Sequence, residues 1–188
     1  MPVKLAIAKT AEQTDSVYKL RHKVFCEEND KFSQTQDARL FDRFDAYPTT
    51  ANIIAIHGDD VVGSLRVTID SELGVPADNY YDFRSHLPSD SNLLGLGMLC
   101  VSKEFRNSKV VLSMIKMGGY YAIEHDISHA IGPINPGIVK LVKRIGFDIV
   151  GNEIIAPHTG LPILPAILDL DNMKSFYAAF AEKNELVT

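Results

Sequence analysis

Two aspartates three residues apart, Asp42 and Asp45 in FDRFD, stand just ahead of a strand pair that carries an arginine, Arg66. An aspartate can bind or deprotonate an ammonium, and an arginine can grip a carboxylate through a fork of N–H donors. The same residue types also serve as solvated surface groups or loop caps, so what matters is the elements that hold them. Ala51 to Ile56 and Val61 to Ile69 are rich in β-branched residues and are separated by His57-Gly58-Asp59-Asp60, the turn chemistry of a hairpin. Asp42 and Asp45 therefore fall at the mouth of a sheet and Arg66 on one of its strands. Upstream, a short strand over Val3 to Ala8 precedes a helix over Glu12 to Glu28, with Val17, Leu20 and Val24 as its core stripe. Arg21, Phe25 and Glu28 follow at i, i+4 and i+7, on a common face beside that stripe.

The chain has 188 residues, 46% hydrophobic and 23% charged, which suits one globular domain over 1–188. A net charge of −5 and a pI near 5.6, without clustered Lys and Arg, argue against a nucleic-acid footprint. The opening MPVKLAIAKTAEQ is too short an apolar run for a signal peptide, and no stretch reaches the roughly 18 apolar residues of a membrane span. The expectation is a soluble, cytoplasmic protein. Two cysteines, Cys26 on the first helix and Cys100 in an apolar strand, suggest neither a disulfide scaffold nor a thiolate metal site.

Asn29 to Arg39 reads as a loop, and Ser71 to Asn92 as a long excursion with Tyr80, Tyr81 and Phe83 among its turn residues. Long ordered excursions in compact domains tend to be functional. Leu94 to Val101 is an apolar strand interrupted by Gly95 and Gly97, the mark of a bulge or of close approach by a ligand. After the polar segment Ser102 to Lys109 comes a helix through Glu124 that is apolar almost all round and hence buried. A short strand at His129 to Ile131, a helix over Pro136 to Ile145 stopped by Gly146, and a strand over Phe147 to Val150 follow. Asp171 is a plausible cap for a last helix with the stripe Met173, Phe176, Tyr177 and Phe180.

This order of elements, with LCV at Leu99 to Val101, EFRNSKV at Glu104 to Val110 and NPGIVKLVKRIGF at Asn135 to Phe147, resembles the GNAT superfamily of acyl-CoA N-acyltransferases. The resemblance implies an α/β fold with a mixed central sheet, a bulged fourth strand and flanking helices. It also implies that Arg106, Asn107, Ser108, Lys109 and Val110 hold a pyrophosphate, since a turn opening a helix offers unpaired N–H groups and a positive dipole end. Within the superfamily the N-terminal half resembles the acyl-homoserine-lactone synthases and the N-acyl amino acid synthases. LRHKVFCEE at Leu20 to Glu28 matches their R-x-x-V-F helix, FDRFD their paired aspartates and GSLRV at Gly63 to Val67 their strand arginine. By that likeness Arg21, Phe25, Asp42 and Arg66 shape the acceptor side.

The departures are specific. By spacing from Val101, the lactone synthases' strand glutamate and arginine fall on Gly95 and Met98, and the tyrosine acid common in acetyltransferases falls near Val142. Ordinary acetyltransferases also often have a Gly-rich phosphate loop after the arginine, where this chain has Asn107, Ser108 and Lys109; the loss of that loop and of the tyrosine resembles the synthase branch, whose donor is often an acyl chain on carrier-protein phosphopantetheine rather than on coenzyme A. Lys103, Arg106, Lys109, Lys116, Lys140, Lys143 and Arg144 could make a basic patch for such an acidic carrier, or form a solvated face.

The chemistry expected is aminolysis of a thioester, with backbone N–H groups at the bulge, Leu99 and Val101 nearest, stabilising the oxyanion. Asp45, acting through an ordered water, is the first choice of base, and Asp42 holds the acceptor or, equally well, the helix through Arg21. The reading is an N-acyltransferase that moves an acyl group from acyl-CoA or an acyl carrier protein to the amine of an amino acid or a derivative, with no metal. A short-chain acetyl-CoA-dependent acetyltransferase and a noncatalytic acyl-CoA sensor are the alternatives. Convergence of Arg66 and both aspartates on one cleft favours an enzyme; a cleft filled at the bulge favours the sensor. His125 and His129 are spaced by four, but the strand at His129 breaks a helical ligand register. Met98, Met114 and Met117 with Leu112 and Ile115 read as acyl-tunnel lining or as core, Tyr120 and Tyr121 as facing the thiolate or as packing, and neither cysteine has a nucleophile's partners.

Overall fold

A computed structural model describes residues 2–106, 109–157 and 159–171. The last helix expected from the sequence falls almost wholly outside them. The described residues build an eight-stranded sheet: β1 (Lys4–Ile7), β2 (Thr50–His57), β3 (Asp60–Ile69), β4 (Leu93–Val101), β5 (His129–Ile134), β6 (Phe147–Ile149), β7 (Ile154–Ile155) and β8 (Pro162–Asp169). Its spatial order is β1-β2-β3-β4-β5-β8-β6, with β7 on β8. Only β4 and β5 run parallel; every other pairing is antiparallel.

Helix α1 (Ala11–Arg21) packs on one face of the sheet, and α2 (Val110–Glu124) on β1 to β5 from the other. The alternation along β3 explains why the two faces differ. Leu65 and Val67 join the large apolar core with Met114 and Met117 of α2, whereas Ser64, Arg66 and Thr68 are buried polar residues on the opposite face, under α1. A sheet face carrying a buried arginine needs charges supplied from elsewhere, which is the origin of the site described below.

Thr10 and Gln13 form a capping box that starts α1, and the chain then widens into a π segment, His22–Glu27, instead of continuing as one α-helix. π segments recur at functional sites, and this one carries Val24 and Phe25. The β2–β3 turn is closed by Gly58-Asp59, with Gly58 at φ 66°, as a tight hairpin requires. Helix α3 (Val139–Arg144), entered through a 3-10 turn at Pro136–Ile138, stops at Gly146, whose φ of 100° is open to glycine.

The β7–β8 hairpin was not expected, because Pro162 and Pro165 argue against a strand. Pro165 lies opposite Pro133 of β5 and its carbonyl accepts from Val150 N–H, so neither proline's missing donor interrupts the ladder where it matters.

Candidate active site

The site grows from a fault in the sheet. Between the pairs Ser64↔Cys100 and Arg66↔Gly97, β4 takes three steps to β3's two, and the extra residue falls near Met98, which sits at φ 50°. On the other side β4 pairs with β5 only from Leu93↔His129 to Gly95↔Ile131, and beyond that the two parallel strands part. Gly132 marks the apex of the gap: a Cβ there would lie 2.8 Å from the carbonyl oxygen of Leu96. Because Ser102 N–H is turned to Val62 of β3, strand alternation turns the N–H groups of Leu99 and Val101 the other way, toward the gap.

A cavity of about 980 Å³ opens through this gap, at the upper end of small-molecule sites. One arm is apolar, lined by Val111, Ile115, Ile134, Ile138, Val142 and Phe147. The other end is polar and aromatic, with Phe25, Asp42, Arg43, Phe44, Arg66 and Tyr80 on its wall.

The four charged residues of the acceptor end form one network. Asp45 accepts from Arg21 Nη1 at 2.8 Å, and from Arg66 Nη1 at 2.9 Å and Asp42 N–H at 3.0 Å through its other oxygen. Asp42 Oδ1 accepts from Arg66 Nη1 at 2.7 Å and from Phe44 N–H at 2.9 Å. Two of these bonds make a reciprocal cap of the 3-10 turn Arg43–Ala46, which is why aspartates three apart converge on one arginine. The second Arg21 nitrogen, Nη2, donates to Asn52 Oδ1. Phe44 lies under the Arg66 guanidinium, 5.8 Å from ring centroid to Cζ.

The two aspartates differ in access. The Asp45 side chain is 2% exposed and Asp42's is 38%. Asp42 lines both the large cavity and a shallower outer recess of about 430 Å³, which it shares with Tyr18, Phe41 and Ala46; Asp45 touches only that recess. Asp45, the base expected from the sequence, has both oxygens engaged and does not line the large cavity, whereas Asp42 does. Arg21 is likewise buried behind the cavity, and of that helix's candidates Phe25 reaches it.

At the donor end, Val110 opens the 15-residue helix α2, whose N-cap residue Lys109 makes no side-chain capping bond. Lys109 precedes it; Asn107 and Ser108 lie outside the described residues, as does His158. Arg106 donates from Nε to Val101 carbonyl at 3.0 Å and from Nη2 to Glu28, so its guanidinium fastens the π segment's end to β4 as well as lining the cavity.

Other sequence candidates separate in the same way. Met98 and Ile115 line the cavity, whereas Met114 and Met117 are fully buried core. Neither Tyr120 nor Tyr121 reaches it, and Tyr121 stacks on His125 with ring centroids 4.1 Å apart. Burial pushes the Cys100 thiol up to about 12, which keeps it from being a thiolate nucleophile. His125 and His129 hydrogen-bond to Tyr121 carbonyl and Ser128, and no group of three metal-ligating side chains occurs among the described residues.

The family model of the FeeM N-acyl amino acid synthases matches residues 16–169, most of the chain and all of the network and gap just described. This chain belongs to the FeeM N-acyl amino acid synthase family. It is thus an acyltransferase, and the reaction of the family is transfer of an acyl group to the amine of an amino acid. Among solved structures, FeeM itself, an N-acyl amino acid synthase from uncultured soil microbes, superposes with a TM-score of 0.77 at 16% identity over 93% of this chain and 94% of that one. The CoA-dependent acyl-homoserine lactone synthase BjaI with MTA gives 0.73 at 14% identity over 100% and 92%, and the acyl-homoserine lactone synthase LasI gives 0.65 at 16% over 90% and 89%. At these identities the likeness is one of fold, the GNAT fold expected from the sequence. No curated protein sequence matches the chain.

Within this FeeM-family chain, the lactone synthases' strand carboxylate has no counterpart and no room for one. A Cβ on Gly95 would lie 2.8 Å from Val75 Cβ. Gly95→Glu is therefore expected to lower stability by roughly 1–3 kcal/mol through overpacking, read as a fall in the denaturation midpoint, and to add no lactone-forming activity. Asn52, Arg43, Phe44 and Tyr80 are site residues that motif matching passed over. A polar Asn52 in the apolar run ANIIAI was the signal for the first.

Proposed function

We propose that the enzyme takes its acyl group from a pantetheine thioester, carried by coenzyme A or by a carrier protein, and passes it to an amino acid whose amine meets the thioester at the β4 bulge. The thioester lies in the gap between β4 and β5, with the N–H groups of Leu99 and Val101 directed at the carbonyl oxygen as charge develops on it. The acyl chain occupies the apolar arm between α2 and α3, and the N-terminus of α2, with its positive dipole end and Lys109, faces the phosphate end of the donor. Arg66 receives the acceptor's carboxylate. Asp42, whose Oδ2 takes no hydrogen bond among the described residues, orients the ammonium and carries its proton toward the outer recess it also lines. Asp45 is a positioning residue that holds Arg66 and Arg21.

The observation that carries this reading is the convergence of Arg66 and Asp42 on the cavity wall beside an unfilled bulge: at Gly97 a Cβ would meet nothing within 4 Å. A filled bulge would have favoured a sensor. The test is mass-spectrometric detection of products from acyl-CoAs and acyl carrier proteins of rising chain length, offered with pooled amino acids and amines. Long-chain N-acyl amino acids are expected, reduced about 10²-fold or more by Asp42→Asn. Product from acetyl-CoA alone would replace this reading with a small-molecule acetyltransferase, and thioester binding with no product would make the protein a sensor.

A further inference from the structure

The long excursion between β3 and β4 is not used by the mechanism above, yet it enters the cavity. Val75 is 1% exposed, lies where a side chain on Gly95 would project, and belongs to a core cluster with Ala77, Phe83, Leu93 and Ile131. From that anchor the 3-10 turn Pro76–Asn79 runs along the cavity wall and ends on Tyr80, whose N–H bonds to Ala77 carbonyl at 3.0 Å. Asp78 caps the turn through Val75 N–H at 3.1 Å, and Arg84 clamps Asp78 at 3.1 Å and both oxygens of Asp70 at 2.9 Å. Tyr80 is thereby delivered to the cavity wall by a braced turn.

Arg66 alone is an incomplete receptor for a carboxylate. Its Nη1 is held by both aspartates, and its Nε is buried with no partner among the described residues, so Nη2 is the nitrogen left for a ligand of the cavity that Arg66 lines. A carboxylate presents two oxygens and needs a second donor. We propose that the Tyr80 hydroxyl is that donor, so that Arg66 and Tyr80 together select acceptors bearing an α-carboxylate over simple amines.

The phenol has the right state for the task. Burial, helped by Asp42 and opposed by Arg66, raises its pKa above the ordinary tyrosine value, so it stays protonated and donating at neutral pH. Tyr80, Arg66 and Asp42 all line the same cavity, where one small acceptor can meet all three.

This assignment rests on the amino acid acyltransferase reading and is tested by Tyr80→Phe, which keeps the ring and its packing. Steady-state kinetics would compare the amino acid preferred by the wild type with the amine left when its carboxylate is removed. The expected result is a rise of roughly 10- to 100-fold in KM for the amino acid, little change in kcat or in KM for the donor, and no change for the amine, so that the preference between the two acceptors collapses. A merely structural tyrosine would weaken both acceptors alike. Equal loss for both, or an unchanged preference, overturns the role of Tyr80 and leaves the acyltransferase reading intact. A wild type that acylates no amino acid overturns that reading and this inference with it.

Discussion

Asp45→Asn is expected to lower the melting temperature by on the order of 10 °C, the largest loss of stability from any single change in the charged network. The Arg21 side chain is 0% exposed and the Arg66 side chain 4%, and Asp45 is the one residue that pairs with both. Neutralising it leaves Arg21 without its carboxylate and Arg66 with Asp42 alone. Breaking a buried pair in this way costs about 3–5 kcal/mol, and each kcal/mol moves the midpoint of a domain of this size by about 2–4 °C. Asp42→Asn should behave differently. Its carboxylate is 38% exposed, so solvent screens the pair and stability falls by about 1 kcal/mol or less, while turnover falls far more. Thermal denaturation followed by circular dichroism separates the two. Comparable melting temperatures for both variants would contradict the division of labour between the aspartates.

Gly97→Phe should do the reverse, abolishing acylation while leaving the fold intact. Gly97 lies opposite Arg66 in the β3–β4 ladder, lines the cavity, and has nothing within 4 Å of where a Cβ would stand. Its φ is not in the left-handed region, so a side chain is not strained there. A benzyl group at that point fills the space where amine and thioester meet, and displacing reactants by an ångström or more costs about 10²-fold in rate. Turnover is expected to fall at least that far with a melting temperature within a few degrees of wild type. Substantial activity in Gly97→Phe would mean that the reaction takes place elsewhere in the cavity.

The contrast between Gly95 and Gly97 shows what the sequence discloses and what it does not. Both read as bulge glycines in GLGMLCV, and the bulge is there, with Met98 as its strained residue. Only three dimensions reveal that one glycine faces a packed valine from the excursion and the other open space. The stripe Val17, Leu20 and Val24 set the buried side of the first helix, and the hairpin put Arg66 on a strand, where the structure groups it with Ser64 and Thr68 on the polar face. The likeness to the synthases singled out Arg21, Asp42, Asp45 and Arg66, and these four form one hydrogen-bonded network. That likeness did not tell which aspartate faces the cavity, because that depends on the turn Arg43–Ala46 directing Asp45 inward between two arginines. Tyr80 and the β7–β8 hairpin were hidden for a related reason. A turn-rich segment and a proline-bearing strand are read locally as irregular, and only long-range pairing with Gly95 and β5 gives them their form.

A crystal structure of the enzyme with a long-chain 2-oxoalkyl pantetheine thioether, a ketone analogue that keeps the carbonyl and cannot be cleaved by an amine, together with the preferred amino acid, locates the donor's carbonyl directly. The predicted density places the pantetheine arm between β4 and β5, the carbonyl oxygen within hydrogen-bond reach of Leu99 or Val101 N–H, the chain against Ile115, Ile138 and Val142, and the amino acid's carboxylate on Arg66. An analogue bound outside the β4–β5 gap, or an amino acid with its carboxylate turned away from Arg66, would contradict it.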